Sequence, residues 1–231
     1  MRRESSTVVA LVGDVAGELL AGLGRSPNVA VASAPAASRA VGANGASVAT
    51  GASTGRGANT GSGANTGNGA ALAHPGWEPG ALAMREAARR RSMYVIVPED
   101  PLAAVAASWQ QMWDLSAGQP GSAAFEASAA DALAAWRDKL FDLPDYYLVI
   151  APAQAAATGP DLYLGPLRAV RPHRVSVAAM ADSRAPTASL LDALRSLEHG
   201  PWWPPLDELL AAARRFYAGG LTESQQIVSA R

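Results

Sequence analysis

Three carboxylates stand where an α/β protein usually does its chemistry. Asp14 follows the apolar run 7–12 (TVVALV), and Glu99 and Asp100 follow the run 93–97 (MYVIV). In open α/β sheets, ligands sit beyond the carboxyl ends of the strands, at the loops that lead into helices. If the two runs are neighbouring strands, these acids converge on a divalent cation or on the hydroxyls of a sugar. The two aspartates also suit helix N-caps, because an Asp side chain accepts the free N–H groups of a first helical turn. Glu99 is then a solvated turn residue.

A second group is basic. Arg168, Arg171, His173 and Arg174 lie within one stretch, RAVRPHR. Arginine forks pair with phosphate and carboxylate, so this loop is a candidate site for a small anionic ligand. The competing reading is a solvated loop, since arginine is plentiful here. Arg85 and Arg89 to Arg91 form the densest positive cluster, but cations in a last helical turn are stabilised by the helix dipole without any partner. A third group is aromatic. Trp202 and Trp203 stand between Pro201 and Pro204-Pro205. They form either a rigid surface for a protein partner or a wedge that packs the final helix.

Complete catalytic motifs are missing. There are no cysteines, so thiolate nucleophiles, disulfides and cysteine-ligated metals are excluded. His74, His173 and His199 are far apart and show no metal-ligand spacing. Gly17 and Gly22 have the glycine spacing of a Walker loop, but Leu23 and Gly24 occupy the Lys and Ser/Thr places. The dinucleotide glycine pattern is absent from this turn. Residues 51–55 (GASTG) match a nucleophile elbow in letters, inside a repeat with neither the strand nor the helix that an elbow requires. No cofactor is identified; a divalent metal or a nucleotide is the class the strand ends would take.

Composition narrows the field further. With a formal net charge of −1, the chain carries no global field favouring nucleic acid or an anionic membrane. Lys139 is the one lysine among 19 basic residues, a bias that points to a GC-rich bacterial genome. Arg2 and Arg3 precede a short apolar stretch that Asp14 interrupts, too early for a signal peptide. A cytoplasmic protein with no membrane span is expected.

The elements that would position these residues follow from hydrophobic periodicity. Runs 7–12, 29–32, 93–97 and 146–151 read as buried strands, with weaker strands at 162–164 and 174–179. Helices are expected over 15–23, 80–91, 101–113, 123–140, 186–197 and 206–217. The helix after Asp100 carries Leu102, Val105, Trp109, Met112 and Trp113 on one face, and the next carries Phe125, Leu133, Trp136 and Leu140.

Between them lie three hexads, GASTGR, GANTGS and GANTGN, none holding a large apolar residue. They cannot offset the cost of ordering backbone, so a disordered insert rich in Gly, Ala, Asn and Thr is expected. The fold expected is therefore α/β, an open, mostly parallel sheet flanked by helices. Residues 1–33 form its first βαβ segment, 34–76 the insert, 77–220 the rest of the domain and 221–231 a flexible tail. The function it suggests is a non-catalytic regulatory or protein-interaction domain. The alternative is a divergent doubly wound enzyme or nucleotide/phosphate-binding protein with its site at the carboxyl ends of the strands.

Overall fold

The computed structural model describes residues 6–13, 15, 17–34, 76–113, 122–151, 161–179 and 186–229. Asp14, His74, the hexads and the elbow-like residues 51–55 lie outside the described residues.

The apolar runs become one sheet. β1 (Thr7–Val12), β2 (Val29–Val31), β3 (Tyr94–Val97), β4 (Tyr146–Ala151) and β5 (Val175–Ala179) pair in the order β2-β3-β1-β4-β5. Every pairing is parallel. Parallel strands are covered on both faces, and that is why the runs are continuously apolar rather than alternating. Val8, Val9, Ala10 and Leu11 are all buried.

The strand order reverses once. The connection from β1 to β2 runs toward one edge of the sheet, whereas those from β2 to β3, β3 to β4 and β4 to β5 run toward the other. Right-handed crossovers therefore put the helix after β1 on one face and the helices between β2 and β4 on the opposite face. Packing agrees. α1 (Gly17–Gly24) and α5 (Pro186–Arg195) bury Leu19, Leu23, Leu190 and Leu194 against Val9, Leu11, Leu148 and Ile150. The other face takes α2 (Glu78–Ala87), α3 (Ala103–Trp113), α4 (Ser122–Arg137) and α6 (Leu206–Ser229).

Three expectations change. The weak strand at 162–164 is instead a π-helical turn, Tyr163–Leu167. Asp161 accepts the N–H groups of Tyr163 (2.7 Å) and Leu164 (2.9 Å) and starts a helix there. Pro166 has no N–H to give an α-type bond, and the Leu167 N–H reaches back to the Leu162 carbonyl at 3.1 Å. On α4 the fully buried stripe is Phe125, Ala129, Ala132 and Ala135, while Leu133 and Trp136 are only partly covered. Small side chains on this stripe let α4 approach α3 closely. The last helix runs on to Ser229 rather than ending near Tyr217.

Trp109 of α3 sits at the centre of this larger core, fully buried. Its ring meets those of Trp113, Phe125 and Tyr217 edge to face, at centroid distances of 5.9, 5.5 and 6.1 Å. Among the described residues no helix is long and apolar enough to cross a membrane.

Candidate functional site

Among the described residues Asp100 is one of few buried charged or polar ones, and its surroundings follow from strand register. β3 ends at Val97, and Pro98 and Glu99 carry the chain to Asp100 at the head of α3. Its carbonyl accepts the Ala103 N–H at 3.1 Å, and its carboxylate accepts the Leu102 N–H, so it does serve as an N-cap. It does more than cap. Ala10 of β1 stands level with both Val97 and Tyr147, and β1 separates the strands that carry them. Because Ala10 is small, the Tyr147 side chain can reach across β1 to the end of β3. The Tyr147 hydroxyl donates to Asp100 Oδ1 at 3.2 Å. From the π-helical turn, the Tyr163 hydroxyl donates to Asp100 Oδ2 at 2.5 Å. The two phenol rings lie 5.1 Å apart, and Trp203 packs edge-on against Tyr147.

The electrostatics of this cluster are those of a group removed from water. Burial pushes the Asp100 carboxyl up to about 6; the hydrogen bonds from Tyr163, Leu102 and Tyr147 pull it the other way. Burial, and then the neighbouring Asp100 charge, holds both phenols well above the usual tyrosine range. Glu99 is half-buried, with one carboxylate oxygen shielded from solvent.

The carboxyl edge around Asp100 is also where the chain order reverses. β1 exits toward α1 on one face, whereas its neighbours β3 and β4 connect to helices on the other. Such a point leaves a crevice between diverging loops. Gly13, directly after β1, has φ +120°, and a Cβ there would lie 2.7 Å from the Ile150 carbonyl oxygen of β4. Only glycine both adopts that backbone and allows so close an approach. Asp14, the next residue, lies outside the described residues.

The basic and aromatic candidates meet at the opposite end of the sheet. Arg174 immediately precedes β5 and is buried, with 7% of its surface exposed. Its Nη2 donates to the Gly200 carbonyl at 2.7 Å, its Nε to Pro201 at 3.1 Å and its Nη1 to Asp145 at 3.2 Å. The guanidinium lies between the rings of Tyr146 and Trp202, 4.7 and 4.8 Å from their centroids. Arg171 Nε donates to the Trp202 carbonyl at 2.8 Å, and His173 Nε2 lies 2.8 Å from that of Pro201.

The segment that Arg174 holds is also tied to β4 and to the residues just before it. The Trp203 indole N–H donates to Pro144 at 2.8 Å, and the Tyr146 hydroxyl donates to Glu198 at 3.0 Å. Segment 198–203 is thereby laced to the amino ends of β4 and β5. Arg168 stands exposed on the helical turn Arg168–Val170.

The structure thus divides the sequence candidates into two places. Glu99 and Asp100 stand at the carboxyl edge, and Arg171, His173, Arg174, Trp202 and Trp203 form one cluster at the amino edge. No family model, curated protein or solved structure matches this chain. Among the described residues no group of three or more His, Cys, Asp or Glu could hold a metal.

Sequence reasoning missed Tyr146, Tyr147 and Tyr163. The first two were hidden in a strand signal, though Asp145-Tyr146-Tyr147 at a strand head offered a hint: three polar groups where β-branched side chains would serve. Asp145 extends the ladder itself, exchanging bonds with Val8 through its N–H (2.8 Å) and its carboxylate (2.5 Å). Tyr163 carried no signal, since its partner lies 63 residues away.

Proposed function

We infer that this chain is a non-catalytic regulatory or protein-interaction domain built on an α/β scaffold. One observation carries the reading: the buried charged groups, Asp100 and Arg174, are engaged by the chain itself. The Asp100 carboxylate holds two tyrosines and a helix N-terminus, and Arg171 and Arg174 hold backbone carbonyls. Trp202 remains 52% exposed and is the aromatic that would meet a protein partner. Residues 1–33 and 77–220 make up one domain interrupted by the insert 34–76. Its near-neutral charge suits neither nucleic acid nor membrane, and we place it in the cytoplasm of a bacterium.

The reversal of strand order supports a second reading, a nucleotide or phosphate ligand in the crevice flanked by Gly13 and Glu99. A thermal-shift screen of the full chain against nucleotides, sugar phosphates and divalent metals separates the two. No ligand should raise the melting temperature. A ligand at 100 times its Kd stabilises by about 2.7 kcal/mol, and such a shift, abolished in Glu99→Ala, would establish the second reading in place of the first.

A further inference from the structure

We propose that Asp100, Tyr147 and Tyr163 form a proton-dependent latch, which ties the turn after β3 to β4 and to the π-helical turn Tyr163–Leu167 and tightens on acidification. The geometry is that of a carboxyl shared among three elements with no solvent at hand. Asp100 is buried, and so are both phenol rings. The groups facing it are Tyr147 from β4 and Tyr163 from the π-helical turn, with Asp161 behind Tyr163; its own turn adds Glu99 and the Leu102 N–H. α2 meets this turn through Gly80, whose backbone lies against Asp100 and Pro101. Phenols and carboxylates are all acids. Keeping a carboxylate away from water is unfavourable, and at this depth that cost outweighs the three donors it receives, so the neutral carboxyl is favoured.

The sign of the pH dependence follows. Burial raises the Asp100 carboxyl from 3.8 to about 6 in the folded chain. Its contribution to stability is therefore fully present below about pH 4 and is lost as pH rises through about 6. That loss corresponds to about a hundredfold in the folding equilibrium constant. The turn it releases carries Glu99, so the carboxyl edge of the sheet loosens where the strand order reverses.

The test is urea unfolding of the full chain from about pH 4 to about pH 8, wild type against Asp100→Asn, which mimics the neutral acid. Contributions common to both proteins cancel in the difference. Relative to the variant, wild type should lose about a hundredfold in folding equilibrium constant across this range. Parallel profiles, or a wild type that gains on the variant as pH rises, would overturn the latch.

If Asp100→Asn does not fold, carbon NMR of the wild type decides. The Asp100 carboxyl should titrate near 6, with the amide signals of Tyr163, Leu164, Gly165 and Leu167 moving at the same midpoint. A carboxyl titrating in the ordinary aspartate range, or amides indifferent to it, refutes the proposal.

Discussion

At the scale of single residues, this protein uses reactive-looking side chains as structural parts. A buried carboxylate would cost several kcal/mol alone, and here two hydroxyls and a backbone N–H receive it. A buried guanidinium is placed between two aromatic faces with three carbonyls around it. The aromatic centre depends on shape rather than polarity. Trp109 is fully buried, and its indole N–H has no hydrogen-bond partner among the described residues. Its hold on the core is therefore contact and burial. Trp109→Ala should lower stability by about 3–5 kcal/mol, read as a fall in the urea midpoint at constant slope. A near-neutral result would show that this side chain does not fill the space between α3, α4 and α6.

At the scale of elements, close approach decides where the sheet ends are. Gly80 in the first turn of α2 lies directly on the backbone of Asp100 and Pro101. A methyl there would force the helix and the turn apart, so Gly80→Ala should destabilise by about 1–3 kcal/mol despite alanine's better helix propensity. A more stable Gly80→Ala would show that the contact yields freely.

Much at this scale was legible in the sequence. TVVALV, MYVIV and YYLVIA read as buried strands because β-branched and aromatic runs between turn residues have few other uses. Asp100 read as a cap because Pro101 follows it. What was hidden depends on distant partners. The π-helical turn arises from Asp161 and Pro166 acting together, and the alanine stripe of α4 becomes a face only because α3 lies against it. In the sequence the Leu/Trp positions stand out instead, because alanine contributes little to a hydrophobic pattern.

At the scale of the whole molecule, one reversal of strand order organises everything. It sends α1 to one face and α2, α3 and α4 to the other, and it sets Gly13 and Glu99 at the carboxyl edge. The amino edge is closed by the strap 198–203, which the sequence showed only as an unusual string of prolines and tryptophans. The fold class could be read because local patterns are enough for it. Strand order could not, because nothing local states that β3 inserts between β2 and β1. Likewise the RAVRPHR loop and the tryptophan pair each suggested a ligand or a partner, and neither revealed that they hold one another.

The central claim is that these side chains serve the fold, and replacing Arg174 tests it most directly. Groups kept for a ligand are often neutral or stabilising to remove, whereas groups that hold a fold are not. Arg174→Met keeps the apolar stem and deletes the guanidinium that joins Gly200, Pro201 and Asp145. In equilibrium urea unfolding at neutral pH without added ligand, the midpoint should fall by the equivalent of about 2 kcal/mol or more. An unchanged or raised midpoint would mean that Arg174 is held in place for something other than the fold, and would contradict the account.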